Sequence, residues 1–148
     1  MILKPQDIVV LLKLLAKGEN GWSYSSLGRE LFISASEVHA GLQRANFAGL
    51  MDLSRKKPIR QALVEFLVHG VKYAFPPVRG GLTRGIPTGY AGPPLKDLLI
   101  NHSNEPPPVW PDPEGSVRGY EFSPLYKSVP RAALTDQKLY ELLVLVDA

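Results

Sequence analysis

The side chains with the most useful chemistry lie in one short stretch of the N-terminal half. An amide such as Gln43 can form two hydrogen bonds with one adenine edge, and a guanidinium such as Arg44 can do the same with guanine. Ser34 and Ser36 precede a predicted helix, where free N–H groups and the helix dipole favour a phosphate. The cationic run Arg55-Lys56-Lys57 follows. Together these residue types indicate contact with a nucleic acid.

Other chemistry is poorly represented in the sequence. Cysteine is absent, and no serine lies in a Gly-x-Ser-x-Gly elbow, which leaves no recognisable nucleophile. The glycines of Gly80–Gly85 lack the Lys-Ser/Thr pair of a phosphate-binding loop, and Glu65 with His69 supplies too few ligands for a metal. We therefore expect no catalytic residue, no cofactor, no metal site and no enzymatic activity.

Composition and charge set further limits. The 148 residues are 45% apolar and 21% charged, as in an ordinary soluble domain. No apolar run is long enough to span a bilayer, and the lack of cysteine suits a reducing compartment, so we expect a cytoplasmic protein without membrane contact. Residues 1–72 carry ten Lys/Arg against six Asp/Glu, which puts the basic excess in the N-terminal half.

Three helices are predicted to position the polar stretch. Apolar residues at helical spacing follow Pro5 until Gly18, which gives the first helix. Ser23 is a plausible cap for a second helix over residues 24–31. Ser34 and Glu37 form a capping-box pattern that starts a third helix, which stops near Gly49.

The second and third predicted helices are joined by a very short turn. Such helices cross closely, which requires a small residue such as Gly28 and apolar residues beside the turn. The stretch Ser25–Leu42 resembles the helix-turn-helix of bacterial transcription regulators, especially MarR-like and winged-helix repressors, and the resemblance covers residues 5–57. Phe32 stands where simple repressors often have glycine, which favours the winged branch. Between Leu50 and Pro58 we expect one strand, at Leu50–Leu53, and no return strand, so the wing would be reduced to Arg55–Lys57.

The resemblance implies that the third helix lies in the major groove of duplex DNA. Removing the buried positions leaves a DNA-contacting set on this helix that consists of Ser34, Ser36, Glu37, His39, Ala40, Gln43 and Arg44. We expect Gln43 and Arg44 to read bases and the two serines to bind phosphate. The DNA backbone contacts are expected from Arg55, Lys56 and Lys57.

The remainder of the chain divides into a fourth helix and a Pro/Gly-rich half. A helix from Pro58 through Ile59–Phe75 carries so many apolar residues that a dimer contact is expected. Residues 73–130 hold twelve of the fourteen prolines and seven of the thirteen glycines, which predicts an irregular layer packed on the same core. Within it we expect a short strand at Val117–Phe122 and a helical turn at Leu95–Ile100. Thr135 or Asp136 should cap a last helix.

The sequence thus predicts a mainly α fold with a helix-turn-helix core over residues 1–75 and a loop layer with a C-terminal helix over 76–148. The function that fits is a sequence-specific, double-stranded DNA-binding transcription regulator. We expect a repressor that works as a homodimer, with two recognition helices about 34 Å apart. The alternative is a protein-interaction module, such as an antitoxin or assembly subunit, whose partner is a toxin or an assembly component.

Overall fold

The computed structural model describes residues 1–98 and 104–148. They form two compact units, Met1–Phe75 and Pro76–Ala148. The division falls where the sequence changes from helix-forming to Pro/Gly-rich. Within the described ranges, no helix combines the length and apolar character needed to cross a bilayer.

Three helices open the first unit, as predicted: α1 (Pro5–Lys17), α2 (Tyr24–Leu31) and α3 (Ala35–Phe47). Ser23 caps α2 by accepting the N–H of Ser26 at 3.0 Å. Ser34 caps α3 by accepting the N–H of Glu37 at 3.2 Å. The side chains of these cap residues satisfy backbone donors that a helix N-terminus leaves unpaired, which explains why the starts were predictable.

The core of the first unit is built around α1. Every residue of α1 from Asp7 to Leu14 is buried, and α2 and α3 contribute Leu27, Leu31, Val38, Leu42 and Ala45. A Cβ added to Gly28 would lie 2.5 Å from the backbone oxygen of Ile33. The tight crossing of α2 and α3 therefore requires glycine at position 28.

A short hairpin follows α3, and here the prediction of a single strand was wrong. β1 (Met51–Asp52) pairs with an antiparallel return strand, β2 (Lys57–Pro58), with Met51 opposite Pro58. Strands of two residues are too short to show the alternating pattern by which a strand is recognised. Pro58, which suggested a helix start, instead ends β2.

The fourth predicted helix is interrupted. It consists of α4 (Arg60–Glu65), a π-helical turn at Phe66–Gly70 and α5 (Val71–Ala74). A π turn adds a residue to the helical repeat and so shifts the stripe of apolar side chains. Leu63 and Val71 are buried, whereas several other apolar residues are exposed, namely Ile59, Val64, Val68 and Tyr73.

The second unit overturns the prediction of a mainly α fold. The chain is mixed α/β, with 52% of the described residues in helices and 16% in strands. The segment expected to be an irregular layer contains β3 (Arg79–Pro87), β4 (Pro108–Pro111) and β5 (Val117–Phe122), which close into a three-stranded barrel. β3 is antiparallel to both other strands, and β4 is parallel to β5. The predicted strand at Val117–Phe122 is confirmed.

The glycines and prolines that indicated loops are what allow this barrel to close. A Cβ on Gly85 would collide with the carbonyl oxygen of Trp110, and a Cβ on Gly119 would collide with that of Pro107. Strands that approach so closely need residues without side chains. Pro87, Pro108 and Pro111 lie at strand ends, where a missing N–H disturbs the ladder least. Composition alone was therefore a misleading guide to this half.

Short helices complete the second unit. After a single 3-10 turn at Gly89–Ala91 come α6 (Leu95–Leu98), α7 (Val129–Thr135) and α8 (Gln137–Asp147). The first part of the helical turn predicted at Leu95–Ile100 is confirmed by α6, and residues 99–100 lie outside the described ranges. Asp136 caps α8 by accepting the N–H of Leu139 at 3.1 Å, which confirms one of the two predicted caps.

Asp147 links the end of α8 to the barrel. Its Oδ2 accepts hydrogen bonds from Thr88 Oγ1 at 2.6 Å and from Trp110 Nε1 at 2.7 Å. Burial raises the pKa of Asp147 to about 6, because the charged form is poorly solvated, although these two hydrogen bonds act in the opposite direction. The Tyr140 hydroxyl, two turns earlier on α8, donates to the backbone oxygen of Pro87 at 2.6 Å, and burial raises the pKa of Tyr140 to about 12.

The raised pKa of Asp147 predicts a pH dependence of stability. The folded chain holds a proton on Asp147 more tightly than the unfolded chain does. The contribution of this proton to the free energy of unfolding is therefore fully present below about pH 4 and is lost as the pH rises through about 6. Relative to Asp147→Asn, the free energy of unfolding of the wild type should fall by at most about 3 kcal/mol between about pH 4 and pH 7. Asparagine is chosen because its carbonyl oxygen still accepts both hydrogen bonds.

The measurement is urea unfolding at a series of pH values, followed by Trp110 fluorescence in a Trp22→Phe background. The chain has two tryptophans, so this background leaves Trp110 as the sole indole reporter. Glu114→Gln removes an exposed carboxylate of the same unit and controls for the loss of one charge. A difference between wild type and Asp147→Asn that stays constant with pH would contradict the assignment.

Candidate nucleic-acid interface

The outward side of α3 carries most of the residues predicted to contact DNA. Four of them are exposed, namely Ser34, Ser36, Glu37 and His39. Two are half-buried, namely Ala40 and Gln43. The Ser34 and Ser36 hydroxyl oxygens lie 3.3 Å apart at the start of the helix. Apart from Ala40, these side chains offer hydrogen-bonding groups on the accessible side of the helix.

Arg44 is the exception, because its guanidinium is held inside the first unit. Its Nε donates to Asp7 Oδ2 at 2.8 Å and its Nη2 donates to Asp7 Oδ1 at 2.9 Å. The Arg44 side chain is 15% exposed and that of Asp7 is fully buried. The prediction that Arg44 reads a base is therefore corrected: its donor groups bind α1, and it belongs to the scaffold of α3.

The surroundings of Asp7 reinforce this pair. Asp7 Oδ2 also accepts the backbone N–H of Lys4 at 2.9 Å, so the carboxylate caps α1 while it binds α3. A Cβ on Gly41 would lie 2.7 Å from Asp7 Oδ1, which leaves room only for glycine beside the ion pair. The hydrogen bonds to Asp7 raise the pKa of Arg44 above its usual value.

The β1–β2 hairpin presents the predicted cationic run. Arg55, Lys56 and Lys57 are exposed. Arg55, whose side chain is 82% exposed, lies 3.8 Å from Asp52, and Lys57 Nζ lies 3.1 Å from Glu19. Exposed pairs of this kind are weak and exchange readily for a phosphate contact. The hairpin is thus the most cationic element next to α3.

The hairpin turn is shaped by Asp52. Its Oδ1 accepts the Ser54 hydroxyl at 2.6 Å and the Ser54 N–H at 3.0 Å. The hydrogen bond from that hydroxyl holds the pKa of Asp52 below its usual value. Lys56 adopts a left-handed backbone conformation with φ 56°, which turns the chain into β2. The three cations are therefore carried on a defined turn.

An aromatic bridge joins the hairpin to α3. Trp22 Nε1 donates to the backbone oxygen of Lys56 at 3.2 Å, and Lys56 Nζ lies 5.9 Å from the centre of the Trp22 ring. The Trp22 and Tyr24 rings meet edge to face at 5.6 Å, and the Tyr24 and His39 rings do so at 4.8 Å. This aromatic bridge (Trp22, Tyr24 and His39) fixes the hairpin beside the outward face of α3.

Sequence reasoning missed three residues of this arrangement. Trp22, Tyr24 and Asn46 are absent from the predicted DNA-contacting set. Asn46 Oδ1 accepts the N–H of Leu53 at 3.0 Å and so ties the end of α3 to the hairpin. Two aromatic residues on either side of the Ser23 cap were the available signal. Their contacts, with Lys56 and His39, depend on the tertiary fold.

The chain was compared with protein-family models, with curated proteins and with solved structures, and none of the three comparisons finds a match.

The Asp7–Arg44 pair predicts a structural role for Arg44. Arg44→Ala would leave a buried carboxylate without its partner, so it should lower the free energy of unfolding by about 3 kcal/mol. Replacing both partners, as in Asp7→Asn with Arg44→Met, should recover a large part of that loss. Urea unfolding followed by circular dichroism measures both effects.

Arg60→Ala provides the matched control, because Arg60 is an exposed arginine of the same unit. It should leave the unfolding midpoint nearly unchanged. If Arg44→Ala were no more destabilising than Arg60→Ala, the ion pair would not hold α3 in place.

Proposed function

We propose that this chain binds duplex DNA sequence-specifically through α3 and the β1–β2 hairpin, and that it acts as a transcription regulator of the repressor type. In this proposal α3 enters the major groove, where Gln43 contacts a base edge and Ser34 and Ser36 bind phosphate. Arg55, Lys56 and Lys57 contact the backbone of the same duplex.

The observation that carries the proposal is the aromatic bridge. It joins an accessible polar helix face to a cationic hairpin through ring contacts of 4.8 and 5.6 Å. A helix that reads bases needs neighbouring phosphate contacts in a fixed register, since these contacts orient it in the groove. A scaffold that holds both parts together supports that use, because the helix and the hairpin then reach the duplex as one surface.

The Asp7–Arg44 pair supports the same proposal. It anchors the core side of α3 to a buried helix, so the outward side is presented by a rigid element. Binding groups on rigid elements lose less entropy on binding than groups on loops. Gln43, which precedes the anchored Arg44, is the base-reading candidate that remains.

The proposal predicts two kinds of mutant. With a duplex selected from a random library by the wild type, Gln43→Ala should lose about 1–3 kcal/mol of binding free energy on the selected duplex and much less on a scrambled one. Lys56→Ala should weaken both duplexes alike and reduce the dependence of affinity on salt, because it removes one phosphate contact. Fluorescence anisotropy titrations at two salt concentrations measure both.

Lys138→Ala is the control for Lys56→Ala, because Lys138 is an exposed lysine outside the proposed interface. It should leave both affinities and the salt slope unchanged. Equal losses on both duplexes for Gln43→Ala would exclude α3 as the specificity element. If the wild type selects no duplex, the proposal of DNA binding fails.

We further propose that the regulator works as a homodimer, and the exposed apolar side chains of residues 59–73 support this. Val64, Val68 and Tyr73 are 49%, 57% and 78% exposed on the segment that follows the hairpin. Exposed apolar groups clustered on one segment are typical of an association surface. A second short helix in a paired subunit would multiply the specificity that one helix can supply.

The dimer is tested by sedimentation equilibrium at micromolar concentration. The wild type should have twice the 16.3 kDa mass of the chain. Val64→Asp with Val68→Asp should yield the monomer and weaken binding to the selected duplex, whereas Gln61→Glu, an exposed change on the same helix, should do neither. A wild type that stays monomeric with and without DNA would contradict the dimer.

The same apolar side chains favour a second candidate function, a protein-interaction module such as an antitoxin or assembly subunit. Its surface would be this apolar segment and its partner a toxin or an assembly component. Salt separates the two candidates, because a protein that contacts several phosphates loses affinity steeply as salt rises, and a mainly apolar interface does not.

A further inference from the structure

The second unit contains a cavity that the proposed DNA interface does not use. Its volume is about 450 Å³, within the range of sites that bind small organic molecules. It lies between the barrel, the 3-10 turn at Gly89–Ala91 and the end of α8. Aromatic side chains and charged groups both line it, so it can hold a ligand that has an apolar body and a charged end.

The charges along the cavity wall are predominantly negative. Among the described residues that line it, three carry carboxylates, Glu105, Glu121 and Asp147, and one carries a guanidinium, Arg79. An excess of carboxylates in a confined space attracts a cation and repels an anion, because low-dielectric walls concentrate the field. The charge therefore selects a cationic ligand.

Asp147 is the carboxylate best placed to hold such a ligand. Thr88 and Trp110, which bind its Oδ2, are themselves buried, so the carboxylate is held in a fixed orientation. Burial raises the pKa of Asp147 to about 6, which leaves it largely ionised at neutral pH. Thr88 and Trp110 are neutral donors, so an ammonium group would supply the positive charge that this half-buried carboxylate lacks.

The aromatic wall is suited to a cation as well. The guanidinium of Arg79 already lies 5.5 Å from the centre of the Phe122 ring, where the negative face of the ring attracts it. Tyr90 and Tyr120 line the same cavity and are both partly exposed. Their rings can cover the apolar body of a ligand whose charged end reaches Asp147.

We propose that this cavity binds a small organic amine, with its ammonium group on the Asp147 carboxylate and its apolar body against Tyr90 and Tyr120. The residues that define the site all belong to the second unit. The proposal goes beyond DNA binding and does not depend on it, so each can fail without the other.

The test uses three probes of nearly equal size on the full chain: 2-phenylethylamine, the neutral 2-phenylethanol and the anionic 3-phenylpropanoate. Titrations followed by amide chemical shifts in heteronuclear NMR give the affinity and locate the site. The amine should bind at least about tenfold more tightly than the alcohol, which corresponds to about 1.4 kcal/mol. The anion should bind most weakly, and shifts should centre on Tyr120 and Trp110.

Asp147→Asn is the decisive variant, because its carbonyl oxygen can still accept the bonds from Thr88 and Trp110. It should lower the affinity for the amine about tenfold or more and leave that for the alcohol unchanged. Glu114→Gln, which removes an exposed carboxylate outside the cavity, should alter neither. An unchanged chemical-shift spectrum away from the site verifies that Asp147→Asn is folded.

Three results would overturn the proposal. One is equal affinity for the amine and the alcohol, and another is an Asp147→Asn variant that binds the amine as the wild type does. The third is the absence of shifts at Tyr120 and Trp110 with the amine at millimolar concentration. None of these results bears on the affinity for DNA, which is measured separately.

Discussion

The ion pair between Asp7 and Arg44 is the interaction on which the first unit depends. A fully buried carboxylate in α1 accepts two charge-assisted hydrogen bonds from α3, at 2.8 and 2.9 Å, and also caps its own helix. Burying this charge is favourable only while the guanidinium stays in place, because an unpaired buried carboxylate is poorly solvated. The orientation of α3 is therefore fixed from its core side, and Gly41 is needed for the close approach. Whatever α3 binds, it binds as a rigid element.

The outward side of α3 is fixed by a second, weaker set of contacts. The aromatic bridge holds the hairpin through edge-to-face rings and one hydrogen bond from Trp22 to the Lys56 backbone. Each such contact contributes on the order of 1 kcal/mol, so the hairpin is held less firmly than α3 itself. The hairpin can therefore adjust its position to the backbone of a duplex, while α3 keeps its register in the groove. A firmly held α3 and a less firmly held hairpin suit the proposal that α3 contacts bases and the hairpin contacts phosphates.

The second unit uses a different physical solution. Its strands come so close that side chains are excluded at Gly85 and Gly119, and its prolines lie where strands end. The barrel core is provided by a few large groups, above all Trp110, whose indole N–H must find an acceptor once it is buried. Asp147 supplies that acceptor and is itself desolvated as a result. The same contact thus completes the core and places a carboxylate on the wall of the cavity.

The sequence by itself determined the elements whose signals are local. Ser23 and Ser34 as helix caps, the approximate bounds of α1 to α3, the strand at Val117–Phe122 and a last helix capped by Thr135 or Asp136 all follow from residues within a few positions of one another. Tertiary structure decided the rest, because its causes lie far apart in the chain. Arg44 resembles an exposed base-reading residue until its partner, 37 positions away, is known, and Trp22 meets Lys56 across 34 positions. Likewise, the glycines of β3 taken alone indicate loops, and only the pairing of β3 with β4 and β5 shows that they lie in a strand. A close approach between two distant segments leaves no periodic pattern in the sequence of either segment.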